Sequence, residues 1–310
     1  MRVISPEKAS KDDTRAPLPR IQFLGAPCYT PIHVTPFLLE RPRGTASAVL
    51  VEVPHSGTAL PELLSPVVRV PAVSLQRDAD IHVAELYRFA PEAGATLLAA
   101  QWSRYVVDLN RAPDDFDSST VVGVPARVPY QPRGVVWRMT TDGDRCLARA
   151  LTREEFEERL GTYYEPYHAA LEGELERLQK EHGFAVLLAA HSMPSVGRTA
   201  HRDRGTRRAD VVPGTRGRTT ADPAVIDLVD QHFRDAGLSV RHDEPYRGGF
   251  TTGHYGRPAS GWHAIQIELN RALYVDETTF EMREGDAERL IALLRDLVRK
   301  LGELELPQVR

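Results

Sequence analysis

The chain has 310 residues, of which 42% are hydrophobic and 26% are charged, a composition typical of a water-soluble globular protein with a sizeable core. Its formal net charge of −4 gives no support for binding to nucleic acid, and no run of about 18 apolar residues predicts a membrane span. The two cysteines are too few for a cysteine-based metal cluster, and the charged N-terminus lacks the apolar stretch of a secretory signal, so we expect a cytoplasmic protein. These properties leave the oligomeric state open.

Residues 1–20 are polar and contain several prolines. A segment of this kind buries too little apolar surface to fold by itself, so we expect a flexible N-terminal extension here. The remaining residues, 21–310, have the length of one α/β enzyme domain. We therefore predict a single domain over residues 21–310.

Short apolar segments predict the strands of a central sheet. They are Ser47–Val53, Ala95–Ala100, Arg104–Leu109, Phe184–Ala190 and His263–Leu269. The first and the fourth are almost continuously apolar, as is typical of strands that are covered on both faces.

Amphipathic segments between these strands predict helices, namely Ile81–Pro91, Thr152–His182, Asp222–Gly237 and Gly285–Leu301. Thr152 and Glu155 match a capping box, and Gly183 is a typical helix end, whereas Pro166 predicts either a kink or a division into two helices. Asp222 is the expected cap of the third helix. Because strands alternate with helices, we predict an α/β fold with a mixed, largely parallel central sheet flanked by helices.

Two histidines follow predicted strands directly. His55 comes after the first strand and His191 after the fourth. Because α/β sheets bind ligands at the carboxyl ends of their strands, the two side chains are expected to meet at one edge of the sheet. Each alone is equally consistent with a histidine bonded to nearby backbone, but the pair favours a shared metal site with a third ligand and a position for water.

The third metal ligand is expected in the segment DADIH. Asp80 is one candidate, since it lies in the first turn of the predicted helix, from which its carboxylate can reach the sheet edge. Asp78 is the expected N-cap of that helix, and His82 competes with Asp80 for the ligand role. The residues themselves leave these alternatives open.

Glu268 lies near the end of the last predicted strand. A buried carboxylate is costly unless it is paired or used, so we predict a general base beside a metal-bound water. The alternative is a salt bridge to Arg271 or Arg111.

Several polar residues are candidates for binding a substrate carboxylate. Asn110 and Arg111 follow the strand predicted at Arg104–Leu109, and the planar fork of an arginine binds carboxylates in a bidentate manner. Further candidates for a second carboxylate are Arg104, Arg198 and Arg247. The glycine-rich segment 247–256, which includes His254, has the composition of a loop that covers a substrate.

These residues lie in a series of motifs that resembles the N-formylglutamate amidohydrolase family. In chain order the motifs are VEVPHSGTALP, DADIHVAELY, SRYVVDLNRAPDD, YEPYHAAL, AVLLAAHSMPSVG and IQIELNRALYVDE, between residues 47 and 277. The resemblance implies a zinc-carboxypeptidase-like fold and hydrolysis of N-formyl-L-glutamate to formate and L-glutamate, late in histidine degradation. It also implies one Zn²⁺ on His55, Asp80 and His191, with Glu268 as the base and Asn110 and Arg111 as the carboxylate clamp.

Parts of the chain do not match this pattern. The first 45 residues and the segments 121–143 and 197–220 lie outside it, and residues 198–218 carry seven arginines. This excess of positive charge motivates a second hypothesis, in which the same metal chemistry acts on another N-acyl amino acid or on a modified peptide. A third hypothesis is a binding module without activity on a hydrolase-like fold.

Overall fold

The structure is a computed structural model that describes residues 36–64 and 66–307. The extension predicted at residues 1–20 and the predicted domain start at residue 21 lie outside the described residues. Within the described part, no helix combines the length and apolar character that crossing a membrane requires.

A six-stranded sheet forms the centre of the fold. Its strands are β1 (Phe37–Glu40), β2 (Val49–Val53), β3 (Thr96–Ala100), β4 (Ala185–Met193), β5 (Val211–Gly214) and β6 (Trp262–Asn270). The spatial order is β1-β3-β2-β4-β6-β5. The four inner strands are parallel, and the edge strands β1 and β5 are antiparallel to their neighbours. The predicted mixed, largely parallel sheet is thereby confirmed.

The helices lie on both sides of this sheet. They are α1 (Ala72–Asp78), α2 (Val83–Leu86), α3 (Arg153–Arg159), α4 (Glu165–His182), α5 (Pro223–Asp235), α6 (Phe250–Tyr255) and α7 (Glu284–Gly302). Short 3-10 turns occur at Glu62–Leu64, Pro258–Ser260 and Arg271–Leu273, and a π-helical turn at Leu160–Tyr164 joins α3 to α4.

The signals predicted from neighbouring residues for the start of α3, the end of α4 and the start of α5 are confirmed. Thr152 and Glu155 form the capping box of α3, and Gly183 ends α4 with a φ of 84°. The side chain of Asp222 accepts a hydrogen bond from Ala224 N at the start of α5. Pro166 lies in the first turn of α4, where the backbone N–H that proline lacks would have no partner within the helix. The interruption between α3 and α4 is the π-helical turn that precedes it.

Two predicted elements were wrong. Residues 104–109 do not form a strand. Their backbone turns and pairs with no strand, and Asp108 N donates to Val135 O. Their apolar side chains still reach the core, which is why the segment resembles a strand in the sequence. Of the helix predicted at Ile81–Pro91, only Val83–Leu86 is an α-helix. Asp78 is the last residue of α1 and therefore is not an N-cap. The carboxylate of Asp78 accepts instead from Tyr105 and Thr141.

The edge strands β1 and β5 were not expected from the sequence. Each has only four residues. In β5 two of these are Pro213 and Gly214, which favour turns and occur in sheets mainly at edges.

Alternation along the inner strands divides the sheet into two faces. Val51, Leu188 and Ile267 face one apolar core with α2, α5 and α7. Leu50, Leu187 and Ala264 face a second core with α3, α4 and the segment 105–151. Because side chains two residues apart share a face, Glu52, His191 and Glu268 point to the same side as this second core.

Candidate active site

The three predicted metal ligands converge at the carboxyl ends of β2 and β4. His191 Nδ1 lies 2.8 Å from Asp80 Oδ2, and His55 Nδ1 lies 3.5 Å from the same oxygen. The centroids of the two imidazole rings are 5.0 Å apart. One ligand atom from each residue lies within 4.8 Å of the others, and all three residues are buried. The geometry can therefore surround one cation.

The donor atoms of this group fit a zinc ion. Nδ1 of His55 is buried and has no hydrogen-bond partner among the described residues, which is unusual for a polar atom in a protein interior. Two imidazole nitrogens and one carboxylate, with a fourth position open, form a typical ligand set of catalytic zinc. A cation between these residues would satisfy the unpaired nitrogen.

The position of Asp80 separates it from the other candidates for the third ligand. Asp80 N donates to His55 O at 2.9 Å, which holds this turn against the end of β2. Burial favours a raised pKa of the Asp80 carboxyl, but the hydrogen bond from His191 and the nearby ring of His55 outweigh burial and hold that pKa well below its usual range. Asp78 bonds to Tyr105 and Thr141, and His82 bonds to Glu85 and, at 2.9 Å, to Phe280 O.

A second layer of polar groups contacts the two imidazoles. Nε2 of His55 lies 2.8 Å from Asp108 Oδ1, and Nε2 of His191 lies 3.2 Å from Asn110 Nδ2. The carboxylate of Asp108 fixes the orientation of the His55 ring and leaves its Nδ1 to bind a metal, whereas the amide group of Asn110 is a donor that contacts the other ring without selecting its nitrogen. Both rings present Nδ1 toward Asp80.

Glu268 stands beside His191 in the sheet. The two residues are Cα partners in the parallel register of β4 and β6, and Glu268 is buried. Its Oε1 accepts from Gln266 Nε2 at 2.8 Å. Arg271, the alternative partner, donates instead to Ser192 Oγ and to the carbonyl oxygens of Arg77 and Ala79. Burial raises the pKa of Glu268, and nearby His191 offsets this only in part.

One cavity opens onto all three ligands, and a second cavity, which reaches Asp80, adjoins it. The inner cavity has a volume of about 210 Å³ and is lined by His55, Asp80, His191 and Glu268 among others. The outer cavity has a volume of about 470 Å³. Both are lined by Asp80, Arg104, Arg111, Ser192, Pro245 and Tyr246, so they adjoin each other along these residues.

The two residues of the predicted carboxylate clamp, Asn110 and Arg111, differ in how many of their polar atoms already bond to other protein groups. Arg111 lines both cavities, and its buried Nε has no hydrogen-bond partner among the described residues. Asn110 also lines the inner cavity, but its Oδ1 accepts from Thr251 N at 3.0 Å while Nδ2 faces His191. Arg111 is therefore the freer of the two for a ligand.

The other predicted substrate residues are dispersed. Arg104 lines both cavities but forms an ion pair with Asp108 at 2.8 Å. Arg247 is an exposed residue at the inner cavity, and Arg198 lines the outer cavity. His254 lines neither of these cavities, because it is exposed on α6 and stacks on Phe250 with centroids 4.8 Å apart.

Sequence reasoning missed two buried carboxylates. Asp108 lies in the motif SRYVVDLNRAPDD and had no predicted role, although it contacts His55 directly. Glu52 lies in the middle of β2, where Tyr167 Oη donates to it at 3.3 Å and burial raises its pKa to about 7. The sequence contains one signal for Glu52, since it is the single carboxylate inside an otherwise apolar strand. It lies two residues from Leu50 and therefore on the same face of the sheet as Leu50.

Comparison with known proteins agrees with the motifs. A family model for N-formylglutamate amidohydrolase matches residues 47–275. A protein from Pseudomonas aeruginosa named N-formylglutamate deformylase is 35% identical over 260 residues, which cover 82% of this chain and 92% of that protein. A Pseudomonas putida protein of the same name is 33% identical over 257 residues, which cover 82% of this chain and 91% of that protein.

A solved structure has the same fold. The crystal structure of N-formylglutamate amidohydrolase from Ralstonia eutropha JMP134 matches with a TM-score of 0.77 and 34% identity, over 87% of this chain and 98% of that one. The family match over residues 47–275 contains β2–β6 and the residues of the site described above. From the ordered motifs, the extent of the family match and the identity to these relatives, it follows that the chain belongs to the N-formylglutamate amidohydrolase family.

Proposed function

We propose that the chain is a zinc-dependent amidohydrolase that cleaves N-formyl-L-glutamate to formate and L-glutamate. The observation that carries this proposal is the convergence of His55, Asp80 and His191 around an unpaired His55 Nδ1, with Glu268 in register beside them. The two relatives named N-formylglutamate deformylase support the substrate. From the family resemblance we place the reaction late in histidine degradation.

The chain's own residues would hold one Zn²⁺ through Nδ1 of His55, Nδ1 of His191 and the carboxylate of Asp80. When bound, zinc polarises an acyl carbonyl and lowers the pKa of a bound water towards about 7. Asp108 holds the imidazole ring of His55 in the required orientation.

Glu268 is the proposed general base. Its Oε1 is held by Gln266, which leaves the other carboxylate oxygen to take a proton from the attacking water. The same carboxyl then returns that proton to the nitrogen of the leaving glutamate. Because the group is buried, its pKa is raised, which makes its carboxylate a stronger base towards the attacking water.

Arg111 is the proposed site for the α-carboxylate of the substrate. It lines both cavities, and its guanidinium forms no ion pair among residues 36–64 and 66–307. A planar guanidinium binds a carboxylate through two parallel hydrogen bonds and so fixes the amide over the reacting groups.

A second candidate keeps this chemistry and changes the substrate to another N-acyl amino acid or a modified peptide. The outer cavity favours it, because its volume of about 470 Å³ exceeds the roughly 210 Å³ of the inner cavity that contains the proposed metal ligands. A larger acyl amino acid could extend into this space.

Metal content and formate release test the proposal. We expect purified protein to contain one zinc per chain and to release formate from N-formyl-L-glutamate. His55→Ala and His191→Ala should each lose the zinc, whereas His82→Ala should keep it, since this histidine bonds to Phe280 O away from the site.

Three results would contradict parts of the proposal. Stoichiometric zinc in both His55→Ala and His191→Ala would refute the metal site. Turnover of other amides without formate release from N-formyl-L-glutamate would favour the second candidate. A folded protein that binds no metal and hydrolyses none of these amides would indicate a binding module.

A further inference from the structure

The outer cavity carries an excess of positive charge. Its wall contains six arginines and three aspartates, namely Arg104, Arg111, Arg133, Arg198, Arg202, Arg271, Asp78, Asp80 and Asp203. A concave site with one dominant sign of charge concentrates ligands of the opposite sign. The charge alone, however, does not say which arginines would hold an anion.

Several of these arginines are already committed to the protein. Arg104 pairs with Asp108 at 2.8 Å. Arg271 donates to Ser192 Oγ at 3.1 Å and to two backbone carbonyls. Arg202 is exposed at the rim. The donors of Arg104 and Arg271 are therefore occupied by protein groups, and Arg202 is exposed to solvent. None of these three arginines requires an anion as a partner.

Arg198 and Arg133 differ from this group. Nε and Nη1 of Arg198 are buried and have no hydrogen-bond partner among the described residues. Its Nη2 lies 3.4 Å from Asp78 Oδ1, but that carboxylate already accepts from Tyr105 and Thr141. Arg133 has one hydrogen bond, from Nη2 to Ala200 O at 3.2 Å, and forms no ion pair within the described part of the chain. Buried donors without acceptors are costly. Arg198 therefore keeps two unsatisfied donors, although its Nη2 also donates to Arg77 O, and the guanidinium of Arg133 has no carboxylate partner among the described residues.

The two guanidinium groups also lie close to other positive charges. Burial lowers the pKa of Arg133, and nearby Arg111 and Arg104 lower it further. Burial likewise lowers the pKa of Arg198, with a further contribution from Arg271. Crowded like charges destabilise one another, and a bound anion would relieve that repulsion.

We propose that Arg133 and Arg198 form a second carboxylate subsite in the outer cavity, which binds the side-chain carboxylate of an N-acylated acidic amino acid. The inference rests on the proposed function and extends it to substrate selectivity. Arg111 lies between the inner and outer cavities and takes the α-carboxylate, so the two acidic groups of one substrate occupy neighbouring arginine sites. A substrate with a neutral side chain leaves both outer guanidinium groups unpaired and is therefore rejected.

The test compares N-formyl-L-glutamate with N-formyl-L-glutamine, which has nearly the same shape but no side-chain charge. In the wild-type enzyme we expect kcat/KM to be much larger for the glutamate substrate. Arg133→Met and Arg198→Met should each lower the ratio of the two kcat/KM values on the order of 10- to 100-fold, through the glutamate substrate, because hydrogen bonds to charged groups have that strength. Arg207→Met is the matched control and should leave the ratio unchanged, because Arg207 is exposed and lines neither cavity.

Conservative variants separate recognition from structural damage. Arg133→Lys retains the charge and should restore part of the selectivity that Arg133→Met loses. An unchanged ratio in both methionine variants would overturn the proposal. Equal losses for both substrates would also overturn it, because they would show a structural role.

A binding measurement keeps the inference independent of catalysis. We expect the zinc-loaded wild-type protein to bind N-acetyl-L-glutamate more tightly than N-acetyl-L-glutamine in a calorimetric titration, and Arg133→Met and Arg198→Met to remove the difference. If the wild-type enzyme releases no formate, the proposed function fails while this difference still supports the subsite. Equal affinity of the wild-type protein for the two ligands would overturn the subsite whatever the activity.

Discussion

Oδ1 of Asp108 lies 2.8 Å from Nε2 of His55, on the opposite side of the imidazole ring from Asp80. The carboxylate is itself held by Arg104 at 2.8 Å and by Trp137 Nε1 at 2.9 Å. Burial favours a raised pKa of Asp108, but Arg104 and His55 outweigh it and hold that pKa well below its usual range. A fixed anion at Nε2 therefore directs Nδ1 of His55 into the site.

This relationship predicts that Asp108→Asn weakens zinc binding. Loss of a carboxylate that orients a ligating histidine typically costs about 10- to 100-fold in metal affinity. The measurement is competition with a chelator at fixed pH. Asp117→Asn is the control, because Asp117 is a buried carboxylate paired with Arg138 at 2.8 Å outside both cavities. A zinc affinity in Asp108→Asn equal to that of the wild type would contradict the orienting role.

Glu268→Gln should remove the base while keeping the site. The amide has the shape of the carboxyl and can still accept from Gln266, so we expect the zinc content and the melting temperature to stay near wild type. A positioned general base contributes about 10²- to 10⁴-fold to the rate, and kcat should fall by that factor. The check is steady-state formate release together with metal analysis. A fall of less than tenfold would remove Glu268 from the proposed chemistry.

His168 should make folding stability depend on pH. Its ring bonds to Tyr255 Oη at 2.9 Å and to Leu109 O at 3.0 Å, and burial lowers its pKa from 6.5 to about 4. Between these two values the unfolded chain binds the proton and the folded chain does not, so stability is complete above pH 6.5 and is lost as the pH falls towards 4. At pH 5 the loss is about 2 kcal/mol, at 1.36 kcal/mol per pKa unit.

The measurement for His168 is urea unfolding at pH 7 and pH 5 for the wild type and for His168→Phe. The variant should be less stable at pH 7, because it loses both hydrogen bonds. Its further loss between pH 7 and pH 5 should be smaller than that of the wild type by about 2 kcal/mol. Identical losses in the two proteins would show that this ring is not the titrating group.

Gly249→Ala should disturb the site through Asn110. A Cβ at this position would lie 2.3 Å from the side-chain oxygen and nitrogen of Asn110, which bonds to His191 and Thr251. We expect a loss of about 1–3 kcal/mol in the free energy of unfolding, as for other overpacked sites, and a lower kcat.

Gly173→Ala is the control for this substitution. Gly173 lies in α4, and an added Cβ would meet no atom within 4 Å. The change should stabilise the protein by about 0.5–1 kcal/mol, since alanine favours the helix. Wild-type stability and activity in Gly249→Ala would show that the backbone shifts freely around Asn110.

The elements that could be read from the sequence are those set by local patterns. The four inner strands are apolar runs, and the capping box at Thr152 is a local hydrogen-bond arrangement. The elements that were wrong depend on distant contacts. Residues 104–109 look like a strand because they are apolar, but their backbone turns so that Asp108 can reach His55, Arg104 and Trp137.

By itself the sequence determined the largely parallel sheet and the two strand-end histidines, because apolar runs and the residues that follow them are properties of neighbouring residues. Only the tertiary structure decided which acidic residues complete the site. Asp80 is separated from His191 by 111 positions and Asp108 from His55 by 53, and both aspartates lie in turns. In such turns the direction of a side chain follows from long-range packing and hydrogen bonds, which no local periodicity records.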